Sequence, residues 1–142
     1  MHFLLFTFFA RESSKYHNHT FKKRGTNDLG GRDAEKTFQN LKQIHEFARS
    51  NNKQSIIVTL PELGFEKREK WLTEVRVVVN DKLRNYGQEN AIPVVELDKL
   101  MPQLTLDPKE RKKLWSDDIH MMPEGYDLLG EFVWEKLKPI LK

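Results

Sequence analysis

Asp117-Asp118-Ile119-His120 sets a carboxylate three residues ahead of an imidazole. In a tight loop that spacing lets the Asp accept the imidazole Nδ1–H and leaves Nε2 free as a general base. Far upstream, Gly25-Thr26-Asn27-Asp28-Leu29-Gly30 places an Asn in a glycine-bounded turn. A side-chain amide so placed can point at a developing oxyanion. Together the two stretches could supply the base and the oxyanion donor that a serine hydrolase needs. The remaining requirement is a nucleophile, and none can be assigned. The serines are Ser13, Ser14, Ser50, Ser55 and Ser116, none follows a Gly-Asp pair, and the chain has no cysteine. Ser116 abuts Asp117, but adjacency in sequence does not put its hydroxyl on His120 Nε2.

Each constellation has a plainer reading. Gly-Thr-Asn-Asp-Leu-Gly-Gly suits any turn, and Asp117 and His120 could be an ordinary loop carboxylate and imidazole. A metal site could add Asp118, but such sites need a third or fourth strong ligand in defined geometry, and the sequence offers none. His17 and His19 sit in a polar, solvated head. Trp71 and Trp134 fall on helical faces, whereas Trp115, next to the Asp-x-x-His loop, is the better candidate to line a pocket. The order of the two motifs, with regular helix and strand patterns between them and Pro123-Glu124-Gly125-Tyr126 after them, favours the hydrolase reading.

Those three stretches, in that order, resemble the SGNH (GDSL-type) ester hydrolase family over about Gly25 to Leu141. The Gly-x-Asn-Asp stretch resembles the third block of that family and the Asp-x-x-His stretch its fifth. The resemblance implies a three-layer α/β/α sandwich on a parallel sheet, flavodoxin-like in layering. It implies small-molecule ester substrates, an acyl lipid or an acetylated sugar, and no cofactor or resident metal. It implies His120 as general base, Asp117 as its orienting partner, and Asn27 with Gly25 as oxyanion and binding residues. Asp28 would be mainly structural, tying the turn. The Gly-Asp-Ser block and the second oxyanion block have no counterpart. Only 24 residues precede Gly25, and a strand–helix–strand unit needs about 30 or more. The expectation is an N-terminally truncated hydrolase domain over 25–142, preceded by a non-family segment, 1–24.

Composition sets outer limits. The 142 residues suffice for one domain with a core of its own, and 38% hydrophobic with 32% charged residues is polar but not disordered. The net charge of +3 is unevenly placed. Arg11, Lys15, Lys22, Lys23 and Arg24 against Glu12 give the head +4, while 19 basic and 20 acidic residues give the remainder −1. A nucleic-acid-binding domain spreads basic charge over its folded body, so nucleic acid is not the expected partner. No stretch approaches the roughly 20 apolar residues of a membrane span. Phe3–Ala10 has the length of a signal core but lacks a basic start and a small-x-small cleavage site. The absence of cysteine fits a reducing compartment without identifying one.

The elements that must carry these residues are legible in part. Asp33–Arg49 has apolar residues at helical spacing through Phe38, Leu41, Ile44 or His45, and Ala48. Ser55–Leu60 reads as a buried parallel strand closed by Pro61. Glu66–Tyr86 reads as a second helix with Gly87 as its C-cap, and Ile92–Leu97 as a second strand with Pro93 near its start. Leu100–Trp115 reads as a loop with one helical turn from Pro108. A last helix begins near Pro123, its core stripe Tyr126, Leu129, Gly130, Val133 and Leu137. Strands alternating with helices predict a parallel sheet covered on both faces, with the site at the carboxyl ends of the strands. His19–Arg24, just before the Asn27 turn, is too polar for a buried parallel strand. The head is therefore expected to be poorly ordered, or without a place in the sheet beside Ser55–Leu60.

Overall fold

The computed structural model describes residues 3–5 and 26–141, with side chains from Leu29 onward. Three parallel strands form the sheet: β1 (Phe3–Leu5), β2 (Gln54–Val58) and β3 (Val94–Val95), in the order β1-β2-β3. Side chains alternate across β2, and the alternation divides the core. Ile56 and Val58 face one layer, built by Leu97 and Met101, by α4 (Pro108–Leu114), and by Leu129 and Val133 of α5 (Pro123–Leu137). Ile57 faces the other, built by α1 (Ala34–Ser50) and α2 (Lys70–Glu89) through Leu41, Leu72, Val79 and Leu83. The result is a small α/β/α sandwich on a parallel sheet.

Local signals place the first elements. Asp33 caps α1, its carboxylate accepting the Lys36 N–H at 2.9 Å. Asp107 caps α4 with Pro108 in its first turn, and Pro123 opens α5. Of the two candidates for the α1 stripe, His45 is the buried one and Ile44 only half-buried.

Several boundaries differ from the sequence expectation. Gly87 is inside α2 rather than at its cap, and the helix ends at Glu89 with Asn90 as C-cap. The reason is spatial: a Cβ at Gly87 would run into Val94 Cγ2 and crowd Ile92 O and Ile57 Cδ1. Helix α2 starts at Lys70, after a separate 3-10 turn, Gly64–Lys67. The strand expected over Ile92–Leu97 shrinks to two residues. Pro93 still accepts the Ile57 N–H through its carbonyl, and Leu97 opens a short helix, α3 (Leu97–Leu100). On α5 the buried stripe is rotated: Gly125, Leu129 and Val133 are buried, while Tyr126 and Trp134 are 40% and 52% exposed. Trp115, expected near a pocket, is 3% exposed and belongs to the core under α5.

The head corrects the expectation at one point. Phe3, Leu4 and Leu5 lie in parallel register with Gln54, Ser55 and Ile56, so these residues do take a place beside β2. Three consecutive apolar residues meet what a strand flanked by a buried neighbour requires. The remainder of 1–24, including His17 and His19, lies outside the described residues.

Candidate active site

The Asp117–His120 stretch is an excursion between two buried anchors. Trp115 and Met121, 3% and 5% exposed, form an antiparallel bridge. Above it Ser116 donates to His120 O twice, from its N–H at 2.9 Å and its Oγ at 3.1 Å. Below it the Met122 N–H donates to Leu114 O at 2.9 Å. Gly125 lets α5 begin against the same Leu114 carbonyl, which a Cβ would overlap.

Within the loop one carboxylate organises everything. Asp117 Oδ1 accepts the N–H groups of Ile119 and His120, each at 2.7 Å, and Oδ2 lies 2.7 Å from His120 Nδ1. An ionised carboxylate only accepts hydrogen bonds. In the neutral ring Nδ1 therefore carries the proton and Nε2 the lone pair. Partial burial works against the charge on Asp117, but hydrogen bonds from the His120 ring and from the N–H groups of His120 and Ile119 outweigh it, holding the carboxyl down to about 2. The pair faces solvent, with 63% of the His120 side chain exposed.

The loop is docked from three sides. The Gly64 N–H donates to Asp118 O at 2.9 Å, and a Cβ at Gly64 would overlap the Asp118 carboxylate. Gln103 Nε2 donates to Asp117 O at 3.1 Å. Arg111 Nη2 and Arg68 Nη2 donate to the two Asp118 oxygens at 3.0 and 3.3 Å. Asp118 is thus occupied by guanidinium groups. Among the described residues no group of three or more potential ligands is assembled for a metal.

Gly64 is itself held by a buried ion pair. Glu66, 1% exposed, takes Arg76 Nε and Nη2 at 2.7 and 2.8 Å, the Thr73 hydroxyl at 2.9 Å and the Leu63 N–H at 2.9 Å. Because Leu60–Gly64 continues directly from β2, the whole assembly stands at the carboxyl end of the sheet.

Asn27 lies in the 3-10 turn Thr26–Gly31. Its neighbour Leu29 is fully buried in one cluster with Leu60, Leu63 and Leu72, so that turn packs at the same end of the sheet as the Asp117–His120 loop. The structure therefore pairs Asp117 with His120 and brings the Asn27 turn to their end. The side chain of Asn27, and Gly25 altogether, lie outside the described residues.

Sequence reasoning missed Gly64, Gln103 and Arg111. Gly64 carried a weak signal, a glycine four residues after the strand; Gln103 and Arg111 carried none. It also missed a second imidazole–hydroxyl contact. His45 Nδ1 and Ser55 Oγ are 2.9 Å apart at the amino end of β2, away from the loop. His45 is 5% exposed, and burial lowers its pKa to about 4.

The α/β/α sandwich on a parallel sheet is the fold of GDSL-type hydrolases, and the comparisons agree on the fold. The GDSL-like lipase/acylhydrolase family matches residues 24–128. The chain belongs to this family. It is similar to the solved structure of a member of the lipolytic protein G-D-S-L family from Veillonella parvula, at 25% identity over 78% of this chain and 58% of that one, with a TM-score of 0.64. It is also similar in fold to a GDSL-like lipase from Bacteroides thetaiotaomicron, at 20% identity over 82% of this chain and 60% of that one, with a TM-score of 0.63. The chain thus spans about three fifths of the length of either structure. No curated protein matches it.

Proposed function

We propose that the chain carries the base-and-oxyanion half of a serine ester hydrolase, and that these 142 residues do not by themselves turn over esters. The observation that carries the reading is the 2.7 Å contact between His120 Nδ1 and Asp117 Oδ2. In the neutral ring it leaves the Nε2 lone pair free to act as a base. In the complete mechanism a serine attacks the ester carbonyl, His120 removes its proton and returns it to the leaving alcohol, and Asp117 holds the ring and offsets the imidazolium charge. Asn27, with Gly25 beside it, would supply oxyanion donors. The substrate class is that of the family: a small ester, an acyl lipid or an acetylated sugar. Neither a nucleic acid nor a cofactor has a part in it. Among the described residues no helix is long and apolar enough to cross a membrane.

The proposed lack of turnover is supported by where the serine hydroxyls go among the described residues, which do not include Ser13 and Ser14. Ser50 Oγ donates to Phe47 O, Ser55 Oγ meets His45, and Ser116 Oγ donates to His120 O. The same observation favours a second reading, a non-catalytic binding or scaffold protein built on the hydrolase framework. Hydrolysis of p-nitrophenyl acetate separates the possibilities. The expected outcome is a rate no greater than that of the His120→Ala variant, since oxyanion stabilisation without a nucleophile retains only a small part of triad catalysis. A His120-dependent rate, or a serine labelled by a fluorophosphonate probe, would sink the proposal of inactivity.

A further inference from the structure

Gln103 is fully buried, yet its side chain is only half satisfied. Nε2 donates to Asp117 O at 3.1 Å, while Oε1 has no hydrogen-bond partner among the described residues. A buried carboxamide with an unmet acceptor is worse for folding than an apolar side chain of the same length, because the desolvation of that oxygen goes uncompensated. The bond to Asp117 is what the amide offers in return, and its geometry shows what the bond does.

A peptide unit is planar, so holding its carbonyl oxygen fixes its N–H as well. Gly64 holds the oxygen of Asp118, and the same unit presents the Ile119 N–H to Asp117 Oδ1. Gln103 holds the oxygen of Asp117, the unit immediately before. With both units fixed, the backbone rotations on either side of Asp118 are set. The carboxylate of Asp117 then arrives where it can take two N–H groups and the His120 ring together.

We propose that Gln103 is the positioning residue of the Asp117–His120 pair: it acts through the Asp117 carbonyl, touches no reacting atom, and makes His120 present Nε2 rather than Nδ1 to substrate. The inference rests on the dyad reading above.

The test uses the full chain, labelled with 15N, in mildly alkaline buffer. Long-range proton–nitrogen correlation reports which ring nitrogen of His120 is protonated. Gln103→Met keeps the length and removes the donor, and Gln103→Glu keeps the shape but turns an acceptor on the Asp117 carbonyl. Wild type should show the Nδ1-protonated ring. Both variants should shift the ring toward the Nε2-protonated form that a free imidazole favours. Gln103→Met should leave the melting temperature within about 4 °C of wild type, a shift of roughly 1 kcal/mol in a chain of this size. A wild-type Nδ1-protonated ring that persists in both variants overturns the inference and leaves the dyad standing. A wild-type ring protonated at Nε2 overturns the dyad, and the inference with it. A Gln103→Met protein that melts far lower yet keeps the wild-type tautomer shows a packing role only, which also overturns it. If Gln103→Met does not fold, Gln103→Glu decides by the same tautomer.

Discussion

Two histidines of this chain sit in opposite surroundings, and the difference sets how the protein responds to acid. His120 stands in solvent with a carboxylate on its Nδ1. His45 is buried against Ser55 and Tyr86, without a counter-charge in contact among the described residues, and burial lowers its pKa to about 4. An unfolded imidazole titrates near 6.5, so between those values the unfolded chain binds the proton and the folded chain refuses it. The contribution of His45 to stability is therefore complete above about pH 6.5 and is lost as pH falls toward 4, by on the order of 3 kcal/mol. Urea denaturation across that range should show the slope in wild type, and His45→Gln, which keeps a hydrogen-bond group for Ser55, should flatten it. Asp117 adds a smaller loss lower down, between about pH 4 and its folded value of about 2, where a depressed carboxyl takes up its proton on unfolding. Stability that instead rises from pH 6.5 to 4.5 would contradict the buried neutral state of His45. At this scale the sequence announced Asp117 and His120, since three-residue spacing is enough to bring them together. It was silent on Gln103, because a lone Gln in a loop bears no mark of what lies opposite.

Elements meet at the carboxyl end of β2 through charge as much as through apolar packing. Arg76 of α2 lies bidentate on Glu66, with Glu62 Oε1 4.0 Å and Asp98 Oδ2 3.9 Å away. Asp98 in turn meets the Thr59 hydroxyl at 2.6 Å and Arg84 at 2.6 Å. Burial opposes the charge on Asp98, and these partners outweigh it, so its carboxyl also stays below the ordinary range. Removing one partner of a buried pair strands the other charge, at a cost of about 3–5 kcal/mol, whereas removing both charges is often neutral. Arg76→Met should thus lower the unfolding free energy by about that amount, and adding Glu66→Gln should restore more than half of it, as read from urea midpoints. An Arg76→Met protein within 1 kcal/mol of wild type would mean the pair is dispensable. Helices α1 and α5 and strand β2 were legible because caps, prolines and apolar spacing agreed. The phase of α5 was not. Tyr126 and Trp134 look like core residues by type, and only tertiary packing shows that Leu128, Leu129, Phe132 and Val133 face inward. Gly87 looked like a stop signal, and was instead the place where α2 passes close over Val94.

At the scale of the molecule, β2 is the central strand, paired in parallel on both sides. The place of the head in that sheet was the least legible feature, because a strand of three residues leaves almost no periodic signal. Hydrogen exchange tests it directly: amides across Phe3–Leu5 should be protected to a degree comparable with those of Ile56–Val58, and uniformly fast exchange across them would remove β1 from the sheet. The far end of β2 is governed by a side chain instead of a strand. Asn80 of α2, fully buried, takes the Leu60 N–H at 2.7 Å and gives its own amide to Leu60 O at 2.9 Å. Those are the two bonds that a neighbouring strand would form with one residue. The peptide of Leu60 is therefore saturated from within, and an extended segment of another chain finds no open rung on which to begin cross-pairing there. The terminus of the strand nearest the Asp117–His120 loop can stay open to small molecules without also inviting polymerisation.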